Sequence, residues 1–319
     1  MSHLGEWNEK IDQEGIKLTH EYNSNITKNG TLKGGKNKLI WIKNDQRNNE
    51  EYFPSGSDWN RDIISALNIG IYLCDIKYII PKYKKEYTKN PDFFKDILNM
   101  SINEQNLKDK SWRKLNINHE SAEIFYTNLE LLLNESEEGD EEHTNDTVKA
   151  FLYALGLNRR KSPFVAESRH TFRFTIAGVM CTTKPDIIVF WNDRGIVVLF
   201  DESKRKKGSS EQQFYSQIAC HSIAIAHNNM QNGKTQEVFG IAVKDKLWKF
   251  CHIIVSQDYL DALGDAEPMS KNIFVIQKIS NISYNICNPM ERKQLLYNIL
   301  GILDYVFYEN PKIGDYQNI

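Results

Sequence analysis

The chain has 319 residues, 40% of them hydrophobic and 26% charged, with a formal net charge of −2. That length holds one large core or two smaller ones, because domains run from about 50 to 250 residues. The balance is that of an ordinary globular protein and excludes a disordered or fibrous chain. From Met1 to Lys10 there is no apolar run of secretory-signal length. The longest apolar stretch, Ile63 to Ile80, is broken by Asn68, Asp75 and Lys77, which a bilayer would penalise. The expectation is an intracellular protein of nucleus or cytoplasm with no membrane span. Cys74, Cys181, Cys220, Cys251 and Cys287 are at least 31 residues apart, which gives no metal knuckle and no dense disulfide framework. They read as buried free thiols in a reducing compartment.

In chain order, apolar residues recur at three- and four-residue spacing over Asp58 to Ile69, Asp92 to Met100 and Glu120 to Leu133, which predicts amphipathic helices. Ile71 to Ile80 fits either helix or strand. The aromatic and basic stretch from Lys82 to Tyr87 reads first as solvated surface, although it could touch a phosphate backbone. Residues 1–134 are thus expected to form a mainly helical region of unknown role. The acidic run 135–143 follows, where like charges repel and nothing apolar offsets the cost of ordering, so an exposed linker is expected. Charge differs across it: from Thr144 onward there are 21 Lys and Arg against 17 Asp and Glu, and before it 19 against 25. The C-terminal positive bias suits a nucleic-acid partner but is too weak to argue for one alone.

From 144 to 319 the pattern is α/β. Thr144 to Leu157 reads as a helix with Val148, Phe151, Leu152 and Leu155 on one face, ending at Gly156. Thr171 to Ile176, Asp186 to Trp191 and Ile196 to Asp201 are strand candidates rich in β-branched and aromatic residues, and Asn192 to Gly195 has hairpin-turn chemistry. Together they predict a three-stranded antiparallel meander. Ser210 and Gln213 resemble a capping box opening a helix to about Asn229, and strands are expected over Glu237 to Val243 and Lys249 to Val255. Asn272 to Ile286 reads as strand. Glu291 to Tyr308 reads as an amphipathic helix whose apolar face packs in the core or, alternatively, pairs two copies in a homodimer. The order helix, three strands, helix, strand makes an α/β core behind a preceding mainly helical lobe.

Two carboxylates converge in this order of elements. Asp186, in Lys184-Pro185-Asp186, opens one strand, and Glu202 closes its neighbour, so a short hairpin brings the two ends together. Side chains alternate along a strand, which puts Glu202 and Lys204 on one face and Asp201 and Ser203 on the other, and favours Glu202 over Asp201 as the partner of Asp186. Hard cations such as Mg2+ or Mn2+ prefer carboxylate oxygens, and hydrolysis of a phosphodiester near neutral pH uses such a cation to polarise the phosphate and supply hydroxide. Lys204 beside it could stabilise the transition state or help deprotonate the attacking water.

Pro185-Asp186 and Glu202-Ser203-Lys204 resemble the signature of the PD-(D/E)XK nuclease superfamily, the restriction-endonuclease-like proteins, over about Thr144 to Ser256. The resemblance implies a divalent-metal-dependent endonuclease, with DNA as the expected substrate. It also implies an acidic residue on the preceding helix, for which Asp146 is the candidate, and a glutamine on the following helix. There Gln213, Gln217 and His221 share one face, and Gln217 is the candidate. More narrowly, the chain is similar to Crinkler-type effector nucleases, although no Leu-Phe-Leu-rich segment stands near its N-terminus. The letters recur elsewhere, in Asp75-Ile76-Lys77, Glu291-Arg292-Lys293 and Pro91-Asp92, without the hairpin and helix around them.

Arg205, Lys206 and Lys207, with Arg169 and Arg173, are the candidate phosphate-backbone contacts, since such contacts need charge rather than base readout. Arg159, Arg160, Lys161 and His170 adjoin them, and nuclear import is a second use of the run from Lys204 to Lys207. Two other functions fit the same residues: a nuclease fold without activity that binds nucleic acid or a protein partner, and a nuclease directed at RNA.

Overall fold

The structure is a computed structural model and describes residues 43–44, 51–52, 55–80, 96–98, 101–134, 141–157, 162, 164–191, 196–202, 211–234, 236–265 and 273–308. After a two-residue strand pair, Lys43–Asn44 against Glu51–Tyr52, helix α1 (Arg61–Ala66) leads into strand β1 (Ile69–Cys74). Helices α2 (Glu104–Lys108), α3 (Glu120–Asn134) and α4 (Glu141–Ala154) follow. Strands β2 (Phe164–Ser168), β3 (Phe172–Ile176), β4 (Val179–Thr183), β5 (Ile187–Trp191) and β6 (Ile196–Glu202) precede the long helix α5 (Glu211–Gln231). The chain then forms β7 (Glu237–Lys244), β8 (Leu247–Ile254), α6 (Gln257–Gly264), β9 (Val275–Ser280), β10 (Tyr284–Asn285) and α7 (Pro289–Tyr308).

Among the described residues eight strands form one mixed sheet in the order β1-β9-β8-β7-β6-β5-β2, with β10 against β8. Strands β2, β5 and β6 are successive antiparallel neighbours, and β6 runs parallel to β7. A parallel pair needs a crossover, and α5 supplies it. Strict alternation along the strands then gives the sheet two apolar faces. Ile187, Val189, Val198, Ile241 and Val243 enter one core with Phe125 of α3, Phe151 of α4 and Leu296 of α7. Ile188, Val238, Ala242 and Ile253 enter the other with Trp59, Ile63, Ile218, Ile223 and Tyr259. The molecule is therefore an α/β protein in which helices cover both faces of a mixed sheet. None of its described helices is long and apolar enough to cross a membrane, and all five cysteines are buried free thiols.

The antiparallel meander has a different first member from the one expected. Phe172–Ile176 pairs only with Val179–Thr183, in a separate two-stranded sheet, and it is Phe164–Ser168 that lies against β5. The cause is local. Ala177 and Gly178 both take positive φ, 50° and 78°, the backbone of a two-residue type I′ hairpin turn, so the chain folds back on itself at once. The first helix also ends sooner than its periodicity implies, because Asn68 turns left-handed, with φ 51°, and Ile69 begins a strand. Helix α4 starts at Glu141, inside the acidic run, so only residues 135–140 of that run lie outside the described set. Of the helix expected over Asp92 to Met100, residues 96–98 form a turn, and the rest lies outside the described residues, as does Lys82 to Tyr87.

Residues that precede the acidic run share the sheet and both cores with those that follow it. Strand β1 lies parallel to β9, from Ile69 opposite Val275 to Cys74 opposite Ser280. Arg292 of α7 is fully buried and donates to the carbonyls of Ile97 at 2.9 Å, Ile102 at 2.9 Å and Ile286 at 3.0 Å. The apolar stripe of α7, with Leu295, Leu296, Ile299 and Leu300, is spent on this same core.

Lys246, in the β7–β8 turn, donates to both carboxylate oxygens of Glu104, at 2.7 and 2.8 Å, and Lys108 pairs with Glu104 one turn along α2. These hydrogen bonds, that of Lys108 foremost, hold the Glu104 carboxyl down at about 2. A carboxyl depressed on folding stabilises above its unfolded value of about 4.3 and loses that contribution as pH falls through its folded value. Glu104→Gln is therefore expected to melt below the parent protein at pH 7, with the difference closing between about pH 4.3 and pH 2. Melting curves of the two proteins across that range check it.

Candidate active site

Antiparallel pairing of β5 with β6 and parallel pairing of β6 with β7 bring the start of β5 and the ends of β6 and β7 to one end of the sheet. The start of β8 joins them there, since Leu247 lies opposite Lys244. Asp186 stands in a bend just before β5 and is half-buried, behind a buried Pro185. Its carbonyl accepts from the backbone N–H of Arg169 at 2.9 Å, which continues the β2–β5 ladder one step past Ser168 opposite Ile187. Glu202 is the last residue of β6, and its backbone lies opposite Val243. The two carboxylate-bearing positions thus occupy adjacent strand ends, as expected.

The ladder rows carry more detail than alternation along a single strand. Glu202 is level with Val243 and, through it, with Trp248, and both of those side chains enter the core beneath α4 and α7. Asp201 is level with Ala242 and Lys249, which lie on the α5 side. One step beyond Ile187 opposite Phe200, Asp186 comes level with Asp201. The side chains of Asp201 and Glu202 are outside the described set, as are Lys204, Arg205, Lys206 and Lys207 altogether, and Arg159, Arg160 and Lys161. Among the described residues no three His, Cys, Asp or Glu side chains gather as a metal-holding group.

Helix α4 turns its buried stripe, Thr144, Thr147, Val148 and Phe151, toward the sheet. Asp146 lies beside that stripe, 42% exposed, and pairs with Lys149 at 3.1 Å. The Thr144 hydroxyl is buried, with no protein partner among the described residues. Position 141, one turn before Thr144 and two before Val148, falls on the stripe and carries a glutamate. On α5, Gln217 is half-buried and His221 is buried, while of Gln213 only the backbone is described. Arg169 is exposed and left-handed, with φ 59°. Arg173 is exposed on the separate β3–β4 hairpin rather than on the main sheet.

A charged cluster that the motif does not contain stands at the same sheet end. Lys249 of β8 donates at 2.8 Å to Glu211 and at 2.8 Å to the Tyr215 hydroxyl, and Tyr215 in turn donates to Glu211. The ammonium of Lys249 and the phenol of Tyr215 hold the Glu211 carboxyl below the ordinary range, and burial with that carboxylate pushes the Tyr215 hydroxyl far upward. The signal for it was present in Trp248-Lys249-Phe250, where a lysine alternates with two core aromatics and must face the other layer. No family model matches the chain, and no curated protein matches it either.

Gly56, in a 3-10 turn (Gly56–Asp58), backs onto this region. A Cβ there would collide with the Thr183 hydroxyl, three residues before Asp186, and stand 3.2 Å from Cys220 of α5. Relieving that overlap needs a shift of β4 or α5, and overpacking of this kind costs about 1–3 kcal/mol. Gly56→Ala is expected to lower the chemical-denaturation midpoint accordingly, measured against a Gly233→Ala control, whose new methyl meets nothing within 4 Å and only strains the φ of 66°.

Proposed function

We propose that the chain is a divalent-metal-dependent endonuclease with a restriction-endonuclease-like, PD-(D/E)XK core, acting on DNA. The observation that carries this reading is the backbone arrangement: a helix, three antiparallel strands, a crossover helix and a parallel strand, with Asp186 and Glu202 at adjoining ends of the middle pair. Their carboxylates are the hard oxygen donors that Mg2+ or Mn2+ takes. When bound, the cation supplies Lewis-acid polarisation of the scissile phosphate and a water of lowered pKa. Lys204 follows Glu202 by two residues and carries an amine that as ammonium neutralises developing charge or, in its neutral form, receives the proton of the attacking water.

In this reading Asp146 and Gln217 assist. The exposed ion pair of Asp146 with Lys149 limits its share. The carboxylates and Lys204 act at the reacting phosphate, whereas Arg169, Arg173 and the run from Arg205 to Lys207 supply charge for the phosphate backbone.

Cleavage of supercoiled plasmid with Mn2+ tests the reading. Asp186→Asn, Glu202→Gln and Lys204→Ala are each expected to lower the rate by about a hundredfold or more, the scale of losing a charge-stabilising or proton-transferring group. Asp201→Asn is expected to keep most of the activity, and Asp146→Asn to cost less than the three substitutions above, because its carboxylate is paired with Lys149 at the surface. Loss of cleavage in Asp201→Asn with full activity in Glu202→Gln would transfer the ligand role to Asp201, the residue level with Asp186. A wild-type protein that binds plasmid but does not cut it, with no heat on titration with Mn2+, would leave the inactive binding module in place of the enzyme.

A further inference from the structure

Beside Asp186 stands an oriented histidine that the mechanism above does not use. Glu167 lies opposite Ile188 in the β2–β5 ladder, and opposed residues of an antiparallel pair share a face, so Glu167 is on the α5 side of the sheet with Ile188. Asp186 precedes Ile188 by two residues and falls on that same side. The Arg169 N–H ties the chain to the Asp186 carbonyl at 2.9 Å, and the left-handed φ of 59° at Arg169 turns His170 back toward Glu167. The His170 Nδ1 meets the Glu167 Oε1 at 3.0 Å, and its ring packs on Phe172, a core residue of β3, with centroids 4.7 Å apart.

These contacts decide which nitrogen can exchange a proton. A carboxylate only accepts, so Nδ1 carries the N–H that Glu167 receives, and exchange is left to Nε2. Nε2 makes no hydrogen bond with a described residue, and the side chain is 41% exposed, so a substrate can approach it. Glu167 and Phe172 hold the ring from two sides and fix its direction in advance. Asp186, Glu167 and His170 form no metal-holding group of three, and a carboxylate-oriented imidazole is suited to proton transfer.

We infer that His170 is the proton donor to the leaving oxygen, with Glu167 as its positioning residue. The inference rests on the nuclease reading and adds what the carboxylates and Lys204 do not provide, a proton for the departing alkoxide. The water oxygen forms its bond to phosphorus as the bond from phosphorus to the bridging oxygen breaks. That oxygen keeps the electron pair of the broken bond and takes the Nε2 proton of the imidazolium. The attacking water gives its own proton to the neutral Lys204 amine or to solvent, and the imidazole is reprotonated from solvent.

The test uses the full chain with Mn2+ and a short end-labelled DNA duplex, followed at one phosphate that the wild type cuts. Three versions of the duplex are compared: the ordinary one, and two with sulfur in place of the 3′ or the 5′ bridging oxygen. A thiolate departs without a proton, because a thiol is far more acidic than an alcohol. His170→Asn is expected to lower the single-turnover rate about a hundredfold on the ordinary duplex, but no more than about threefold where the leaving atom is sulfur. Glu167→Gln is expected to cost about tenfold, with the same dependence on the leaving atom. Equal losses on all three duplexes, or full activity of His170→Asn on the ordinary one, would overturn the inference and leave the nuclease reading standing. A wild type that cuts no DNA would overturn both. Both side chains are at the surface, so the variants are expected to melt with the wild type. If His170→Asn melts lower, His170→Gln takes its place in the same comparison.

Discussion

The site depends on one constraint, the parallel pairing of β6 with β7 across helix α5. An antiparallel hairpin alone puts the end of one strand beside the start of the next. A parallel neighbour adds a second strand ending at the same level, and the β7–β8 turn then returns the chain beside it. Four strands thereby present termini at one edge, where backbone and side chains leave the packed interior and meet solvent. A parallel pair forms only if a crossover segment packs back on the sheet. In α5 this is met by a helix of 21 residues whose Ile218, Ala219, Ile223 and Ala224 are buried against one sheet face. Small residues among them let the helix approach closely, and Cys220 packs so near Gly56 that the 3-10 turn before α1 becomes part of the same wall.

On the opposite face the framework relies on buried polar anchors. Arg292 is enclosed between the turn at Ile97, the segment at Ile102 and the start of its own helix, and gives hydrogen bonds to a carbonyl of each. Burial pulls its guanidinium below the ordinary arginine range. Removing the guanidinium would strand the carbonyls of Ile102 and Ile286 in a dry interior, where each unsatisfied acceptor costs about 1–3 kcal/mol, while that of Ile97 keeps its bond from the Tyr126 hydroxyl at 2.8 Å. Asp96 does similar work at the head of α3, where its carboxylate accepts from the N–H groups of Asn118 and His119 at 2.8 Å each, and from the His119 ring at 2.7 Å. These hydrogen bonds tie residues 96–134 to the C-terminal helix, so the acidic run separates two stretches of sequence that meet in the same cores.

Periodicity made α3, α4 and α7 legible, because each must bury a stripe and the stripe repeats every three to four residues, whereas α5 was read from the capping-box pattern of Ser210 and Gln213. Strands β5, β6, β7 and β8 were legible from their β-branched and aromatic content between turn residues. The order of strands in the sheet was not: nothing in Phe172 to Ile176 says that its partner is the next strand rather than the one after, and only the left-handed pair Ala177-Gly178 decides it. Strand β1 was hidden because Ile69 to Cys74 is apolar on both faces, with helices on either side of the sheet, so it shows no alternation. At the site, the motif identified two strand ends, but the level of each residue comes from pairing. One-strand alternation separates Asp201 from Glu202. It takes the ladder with β7 and β8 to assign those rows to the α5 and α4 sides.

The two ends of the sheet differ in how their charges are compensated, and the difference bears on which end meets a polyanion. At the far end Glu237 accepts from His252 at 2.7 Å and from the Tyr305 hydroxyl at 3.1 Å, and His252 stacks on Phe239 with ring centroids 4.7 Å apart. Burial alone would raise the Glu237 carboxyl, yet the hydrogen bonds from His252 and Tyr305 carry it below the ordinary range. That carboxylate is satisfied by hydrogen bonds within the fold. At the near end Arg169, Lys184 and Lys244 are exposed, and the carboxylate of Glu211 is engaged by Lys249 and Tyr215 rather than set against those three. Exposed cations at one sheet end give it a positive local field, whereas the charge at the other end is taken up by hydrogen bonds within the fold. The near end therefore keeps exposed positive charge that the fold does not neutralise in the way it neutralises the far end, and it is the end where the strand pairing gathers the backbones of Asp186 and Glu202.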